Sequence, residues 1–295
     1  MHTYGGPLRP LFFLLYQNEK EPKMLRREDL LKYVTSGKFI PTPPIEIDEG
    51  VCGDYSVEKI SVKGKKLKSN LFEGIVKPER DYITALKKNG EIIMTDGPFE
   101  VMLQHIACTE AIAEMSRRLK MGVALGPTGF IKRPNILIAG LGLGIATALI
   151  SHMAKRQVEE ITRTNPMPGL EKSEIQIVTL ERSKEVCSLV SPKVIALTDQ
   201  IHTRHPGNPL SIFTADVFDG TFNPKFFDVV YVDIWNGAGP FDLVQYFSGM
   251  QKLKKMAGPK TLLISPVLHQ MQALLTKNGA DWAAEALGRY CKNTH

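Results

Sequence analysis

The chain has 295 residues, of which 43% are hydrophobic and 23% are charged, a composition typical of a globular protein. Its formal net charge of +6 is a modest basic bias that does not require a nucleic-acid or membrane partner. The four cysteines are widely scattered and form no CxxC pair, which argues against a disulfide framework or a cysteine zinc site. We therefore expect a cytoplasmic protein in a reducing compartment.

The most apolar segment near the N-terminus is PLFFLLY, residues 10–16. It is much shorter than the ~20 residues that cross a bilayer, and charged residues follow it without a small-residue cleavage site. We predict a packed strand or short helix here, with no membrane partner.

Further along the chain, His202 and His205 in HTRH have no evident carboxylate or cysteine partner, so no metal site is predicted.

Residues 1–98 are predicted to form a β-rich N-terminal segment. Three prolines within residues 40–50 exclude regular helix there, and short alternating segments follow. Asn89 and Gly90 lie between two runs with β character, which is the strongest short-range signal for a β-hairpin.

Residues 99–295 are predicted to form a Rossmann-like domain. A helical pattern runs from Phe99 to Gly122, and the apolar strands ILIAG, IQIVTLE, LSIFTAD, FDVVYVD and TLLISP then alternate with helices, the first ending near Arg156. This alternation is typical of an α/β fold with a doubly wound parallel sheet. The remaining residues show no convincing final hairpin, so the sheet is trimmed or its ending is altered. A trimmed sheet would leave an edge strand for the N-terminal segment or a second copy of the chain to cover.

Three glycines at alternate positions interrupt the apolar run NILIAGLGLGIATALI, residues 135–150. They are Gly140, Gly142 and Gly144, and they follow the first strand of the domain, where an open α/β sheet binds its ligand. Residues without a Cβ allow a tight turn and let a nucleoside rest against bare backbone. Glycine-rich turns of this kind also serve purely structural ends, and the spacing GxGxG does not meet the dinucleotide pattern GxGxxG.

An acidic residue ends each of the next three strands: Glu181, Asp216 and Asp233. A carboxylate at position 181 can accept hydrogen bonds from both vicinal hydroxyls of a ribose, and one at position 216 can accept from the amino group of adenine. Asp233 would lie beside a transfer centre. The alternative is that strands simply become polar as they leave the core.

These features together resemble the class I S-adenosylmethionine-dependent methyltransferases, and more narrowly their spermidine synthase-like branch. The resemblance covers about residues 75–268 and rests on the hairpin ITALKKNGEIIMTDGPFE and on RPNILIAGLGLG, IVTLE, TADVFDG and FDVVYVDIWNGAGP. It implies S-adenosylmethionine as cofactor, with the three glycines around the nucleoside and Glu181 on the ribose. It further implies Asp216 with Val217 beside the adenine and Asp233 beside the methionine sulfonium.

Two departures separate the chain from the aminopropyl-transferring members of this branch. Leu143 and Asn236 stand where those members carry acids, and the acidic cluster after the hairpin is thin, with Asp96 and Glu100. An asparagine can serve neither as base nor as counter-charge for a cationic amine, which argues against polyamine synthesis.

Methyl transfer makes a smaller demand, namely alignment of the reacting groups and exclusion of water. We predict that Asp233, Trp235 and Asn236 form the catalytic wall, although ordinary packing of Trp235 and a simple turn at Asn236 are plain alternatives.

Two classes of function remain open. The first is a methyltransferase that acts on a small-molecule or protein acceptor. The second is a family member that has lost catalysis and acts as a binding or scaffold subunit.

The lysine runs KGKKLK and KLKKM have no interleaved aromatic residues, so nucleic acid is not predicted as a partner. Residues 161–174 exceed a usual α/β connection and form either a partner-binding insertion or a disordered loop.

Overall fold

The computed structural model of the chain describes residues 45, 47–65, 67–68, 75–76, 80–124, 134–164, 175–201, 209–234 and 240–267. The predictions for residues 10–16, 202–205 and 268–295 lie outside these ranges. Within them, no helix combines the length and apolar character that crossing a membrane requires. The same residues contain no cluster of histidine, cysteine and acidic side chains able to hold a metal ion.

The N-terminal part contains a four-stranded antiparallel sheet. Its strands are β1 (Gly50–Cys52), β2 (Tyr55–Ser61), β5 (Tyr82–Lys88) and β6 (Glu91–Thr95), in the order β1-β2-β5-β6. A separate two-stranded pair consists of β3 (Leu67–Lys68) and β4 (Ile75–Val76). The predicted hairpin is confirmed, since Lys88 pairs with Glu91 and both intervening residues have positive φ, 52° at Asn89 and 82° at Gly90.

The second sheet has five parallel strands, as the apolar segments of the sequence predict. They are β7 (Asn135–Ala139), β8 (Gln176–Glu181), β9 (Leu210–Thr214), β10 (Val229–Val232) and β11 (Leu262–Ile264). Their order is β11-β10-β7-β8-β9, so the chain moves outward from β7 in one direction and then crosses back to β10. Such a switch between two neighbouring strands opens a crevice at their carboxyl ends.

Helices cover both faces of this sheet. They are α1 (Pro98–Ala124), α2 (Ile145–Thr164), α3 (Lys184–Ile201) and α4 (Pro240–Met256). Alternate strand residues face opposite layers: Ile136 and Ile138 pack in the core with α1, α2 and α3, whereas Leu137 and Ala139 pack in the core with α4. The fold is therefore the predicted α/β class, a Rossmann-like sheet with a smaller antiparallel sheet before it.

Helix α2 is longer than the sequence pattern indicates. The predicted end near Arg156 is wrong, because the helix continues to Thr164 and buries Ile161 in its last turn. The first four residues of the predicted insertion, 161–164, are thus helix and not loop. Residues 165–174 lie outside the described part of the chain.

Candidate functional site

The glycines of the turn between β7 and α2 are required by packing within the protein. Gly140 has a φ of 98°, and a Cβ there would lie 2.0 Å from the carbonyl oxygen of Asp233. A Cβ at Gly142 would lie 2.4 Å from Met94 Sδ, and one at Gly144 would lie 2.3 Å from a methyl group of Val194. Close internal neighbours therefore explain all three glycines without a ligand.

The amide groups of this turn are also satisfied within the protein. The N–H of Gly140 donates to a β8 carbonyl at 2.8 Å, and that of Gly144 donates back to the carbonyl of Leu141 at 2.7 Å. The Leu143 N–H lies 3.3 Å from the thioether sulfur of Met94. The two remaining amides of residues 140–144 donate to Glu181, so none of the five is left over to bind a phosphate.

Glu181, at the end of β8, is held by three backbone amides. Its Oε2 accepts from Leu141 and Gly142 at 3.1 and 3.4 Å, and its Oε1 accepts from Ser183 at 3.0 Å. An ionised carboxylate offers about four acceptor positions, so at least one remains for a ligand donor. The side chain is thus fixed in place yet still able to accept a further hydrogen bond.

A cavity of about 430 Å³ opens at the carboxyl ends of the parallel strands. Its volume falls within the range of small-molecule sites. It brings together most of the predicted cofactor-binding residues and the first predicted catalytic residue: its walls include Gly140, Gly142, Glu181, Asp216, Val217 and Asp233. Gly144 does not line it, and Leu143 is buried in the core and leaves the cavity open.

Asp216 lies on the β9 side of this cavity. Its Oδ1 accepts the backbone N–H of Phe218 at 2.9 Å, which fixes the carboxylate and leaves Oδ2 without a partner among the described residues. The neighbouring Val217 is buried with only 3% of its surface exposed. An acceptor beside an apolar wall is a suitable environment for a purine ring with an amino group.

Helix α1 contributes a group to the cavity that the sequence did not predict. Gln104 donates through Nε2 to Asp233 Oδ2 at 2.6 Å and to Glu100 Oε1 at 3.0 Å. Its Oε1 accepts from the hydroxyl of the fully buried Tyr231 at 2.5 Å. The signal in the sequence is the pair Glu100 and Gln104, four positions apart in the mostly apolar first turns of the helix, a spacing that places both on one face.

The two carboxyl groups joined by Gln104 have no cationic partner among the described residues. Burial raises the pKa of Asp233 to about 7, and the nearby carboxylate of Glu100 adds to the rise. Burial raises the pKa of Glu100 as well. Two acids in these surroundings resist simultaneous ionisation unless a proton or a cation accompanies them.

Asp96, the other acid noted after the hairpin, has a structural role. Its Oδ2 accepts from Arg80 at 2.7 Å, and its Oδ1 accepts the backbone N–H of Thr84 at 2.6 Å. These bonds tie the end of β6 to β5, and Asp96 does not line the cavity.

The antiparallel sheet supplies one wall of the cavity through Tyr55, Leu86, Ile93 and Met94. Met94 also contacts the glycine turn, since its Sδ accepts the N–H of Leu143. No sequence motif predicts this wall, because the contact between Met94 and Leu143 joins residues that are 49 positions apart. Trp235 and Asn236, two of the three predicted catalytic residues, lie outside the described part of the chain.

No protein-family model matches the chain, and no curated protein matches it. Among solved structures, the CcbJ methyltransferase from Streptomyces caelestis aligns with 51% of this chain and 47% of its own, at 12% identity and a TM-score of 0.26. MnmC2 from Aquifex aeolicus aligns with 63% of this chain and 57% of its own, at 18% identity and a TM-score of 0.28. The aligned regions span about half the length of those structures. Similarity at this level carries no argument about activity, and the assignment of the fold depends on the sheet order and layers described above.

Proposed function

We propose that the chain is an S-adenosylmethionine-dependent methyltransferase of the class I type. The observation that carries the proposal is the cavity at the carboxyl ends of the parallel strands, where the glycine turn meets acids from three successive strands, Glu181, Asp216 and Asp233. In an open α/β sheet this edge is the usual place of a nucleoside ligand.

The internal bonding of the glycine turn supports a nucleoside without phosphates. Phosphates bound at such a turn are held by free backbone N–H groups, and the amides of residues 140–144 are all used within the protein. Among the described residues, the cavity walls instead carry four acids, the three strand-end acids and Glu100, and one basic residue, Arg182. This balance would repel a dinucleotide and favour a ligand with positive charge.

S-adenosylmethionine meets these conditions, because it joins an adenosine to a sulfonium and an ammonium group, and it would supply an electrophilic methyl group. The residues present fit it. Glu181 keeps acceptor capacity for the ribose hydroxyls, and Asp216 with Val217 offers an acceptor and an apolar surface to the adenine. Asp233 would balance the positive charge, while Trp235 and Asn236 remain the proposed wall for the acceptor. The acceptor class remains a small molecule or a protein in the cytoplasm.

A second candidate, aminopropyl transfer in the manner of the spermidine synthase-like branch, is favoured by one observation. Gln104 joins Glu100 to Asp233, so the cavity holds a carboxyl pair that can face an amine. Leu143 and Asn236 still stand where that activity would place acids. The two candidates differ in their donor, S-adenosylmethionine or its decarboxylated analogue.

Titration calorimetry distinguishes these possibilities. We expect the wild type to bind S-adenosylmethionine and S-adenosylhomocysteine and not to bind NAD. Glu181→Ala should weaken binding of both at least tenfold, because a ribose hydrogen bond to a charged acceptor is lost. Glu91→Ala, which removes an exposed carboxylate of the hairpin, is the matched control, and thermal unfolding of both variants checks their folding.

The other outcomes each exclude one activity. Absence of binding by the wild type would overturn the methyltransferase proposal. Much tighter binding of the decarboxylated analogue would favour aminopropyl transfer. Binding with no transfer of a labelled methyl group to any component of a cell extract would favour the scaffold role.

A further inference from the structure

The carboxyl groups of Asp233 and Glu100 form a pair that Gln104 holds together at the wall of the cavity. Both groups accept a hydrogen bond from the same nitrogen, Gln104 Nε2, at 2.6 Å for Asp233 Oδ2 and 3.0 Å for Glu100 Oε1. These two oxygens therefore lie no more than 5.6 Å apart, which is the sum of the two distances. Both residues line the cavity, so a ligand there can approach the pair.

The orientation of the Gln104 amide is fixed by Tyr231. The hydroxyl of this fully buried tyrosine donates to Gln104 Oε1, so the amide directs its N–H groups at the two carboxyl groups. The amide is neutral and supplies hydrogen-bond donors to the pair without supplying charge. Asp233 Oδ1 and Glu100 Oε2 have no partner among the described residues, so one oxygen of each acid remains for a ligand.

The titratable side chains packed around the pair do not balance its charge. Cys108 of α1 and Tyr231 of β10 are both buried, which raises their pKa values and keeps them neutral at pH 7. At the end of β8, Glu181 adds a negative charge that raises the pKa of Asp233 further.

The remaining walls of the cavity bring little positive charge to the pair. The antiparallel sheet contributes Tyr55 with apolar side chains, and α4 contributes the neutral Gln245. Arg182 follows directly after Glu181, and the segment WNGAGP after Asp233 contains no basic residue. The pair is thus the place in the described cavity where a positive charge is most favoured.

Two carboxyl groups at this separation, without a cation, hold one proton near neutral pH because ionisation of both is unfavourable. The groups are coupled, so the proton belongs to the pair and not to either residue alone. A cation bound between them would stabilise the doubly ionised pair and displace the proton.

We propose that the Asp233–Glu100 pair is a site for one positive charge, filled by a proton in the empty cavity and by the sulfonium of S-adenosylmethionine in the complex. Binding of the sulfonium releases the proton to solvent. S-adenosylhomocysteine lacks the methyl group and the charge on sulfur, so the pair keeps its proton beside this product. Glu100 is therefore a specificity-determining residue, and this inference rests on the methyltransferase function proposed above.

Titration calorimetry in two buffers of different ionisation enthalpy counts the protons released on binding. At pH 6 we expect S-adenosylmethionine to release about one proton and S-adenosylhomocysteine about none, because a pKa of about 7 for Asp233 leaves the pair protonated before binding. An analogue with an amino group in place of the methylsulfonium is also cationic at pH 6 and should release as many protons as S-adenosylmethionine. Release by the sulfonium ligand alone would overturn charge as the recognised feature.

The affinities should depend on pH in the same sense. Protons compete with the cation at low pH, so the affinity for S-adenosylmethionine relative to S-adenosylhomocysteine should rise about tenfold between pH 5.5 and pH 7. A ratio that does not change over this range would overturn the inference.

Glu100→Gln tests whether the site is a pair. The change keeps the shape of the side chain and removes a charge that raises the pKa of Asp233, so proton release at pH 6 should fall by at least about half. Glu110→Gln, at an exposed glutamate of the same helix outside the cavity, is the matched control and should release as many protons as the wild type. Equal release in Glu100→Gln and the wild type would assign the proton to Asp233 alone and overturn the pair.

The same titrations separate this inference from the proposed function. Binding of S-adenosylmethionine and S-adenosylhomocysteine with equal proton release would overturn the charge site and leave the methyltransferase proposal in place. Absence of binding of both ligands would overturn both proposals.

Discussion

The two aspartates that flank β10 occupy opposite ends of one strand and differ in how their charge is balanced. Asp228, before the strand, accepts from Arg118 Nη1 at 2.6 Å and from the backbone N–H of Asn135 at 3.1 Å. Asp233, after the strand, has the neutral amide of Gln104 as its side-chain partner, and the carboxyl group of Glu100 shares that amide.

The difference separates a structural end of the sheet from a candidate functional end. A buried carboxylate with a guanidinium partner is complete within the protein. A buried carboxyl group that lacks a cation, has a strongly raised pKa and lines a cavity is typical of a site that acts on a ligand. The residue type is the same in both places, so only the surroundings distinguish the two roles.

At fixed pH, the largest effect of a single substitution is expected from Asp228→Asn. The change removes one of the two carboxylates bonded to the largely buried Arg118, while Glu114 remains, and should lower the free energy of unfolding by about 3 kcal/mol. Asp233→Asn is the matched change at the other end and should leave stability unchanged or raise it, because it removes a destabilised charge. Urea denaturation at pH 7 measures both, and an equal loss in the two variants would contradict the contrast.

The pH dependence of stability should reveal Asp233 next. Its pKa is about 7 in the folded chain and near 4 when unfolded, so the folded state holds an extra proton between these values. The stabilisation is complete below pH 4 and is lost as the pH rises to about 7. We expect the stability of the wild type relative to Asp233→Asn to fall by on the order of 4 kcal/mol over this window, because each unit of pKa difference is worth about 1.4 kcal/mol. A stability difference between wild type and Asp233→Asn that does not change with pH would mean that the pKa of Asp233 is not raised by folding.

The acids of the cavity should also differ from acids outside it in ligand recognition. Asp216→Asn keeps the bond from the Phe218 N–H through its amide oxygen but turns the group that faces the cavity from an acceptor into a donor. Calorimetry should show about tenfold weaker binding of S-adenosylhomocysteine and a relative gain for S-inosylhomocysteine, whose ring carries a carbonyl in place of the amino group.

Asp219→Asn is the control for this exchange, because Asp219 makes the same kind of bond to Thr221 in the same connection but lies outside the cavity. Its ligand preference should match the wild type. A shift of equal size in both variants would remove Asp216 from the binding site.

The smallest effect is expected from Gln104→Leu. The hydrogen bond from Gln104 lowers the pKa of Asp233, so its removal should raise that pKa further above the wild-type value of about 7. The carboxyl carbon signal of Asp233, followed by NMR as a function of pH, would show the midpoint move upward. A downward shift would mean that solvent entering the cavity outweighs the lost bond.

The fold was predictable because its signals are local. Alternating apolar runs define the parallel strands, and Asn89 with Gly90 specifies the two-residue hairpin through its positive φ angles. The end of α2 was missed because the buried Ile161 continues the apolar face through a stretch of polar residues. In that stretch the burial of Ile161 extends the helix beyond the point that the local sequence pattern predicts.

The site was predictable only in part. The strand ends and the glycines in the sequence locate the cavity, because a ligand of an open α/β sheet binds at the carboxyl ends of the strands, where the strand order reverses. The bond between Gln104 and Asp233 joins residues 129 positions apart, and no local pattern encodes such a pair. The glycines were found for a ligand-based reason, whereas Met94, Val194 and the carbonyl of Asp233 supply a packing reason visible only in three dimensions.

The contact of Met94 with the glycine turn makes the smaller sheet part of the machinery that shapes the cavity. Its sulfur packs against Gly142 and accepts a hydrogen bond from the N–H of Leu143. The N–H groups of Leu141 and Gly142 in the same turn donate to Glu181 and hold its carboxylate in place. A displacement of the β5–β6 hairpin would thus be transmitted to the carboxylate proposed to hold the sugar through the Met94 contact, the backbone of the turn and the hydrogen bonds to Glu181. Removing the antiparallel strands would leave the glycine turn of the larger domain without the packing contact that Met94 provides.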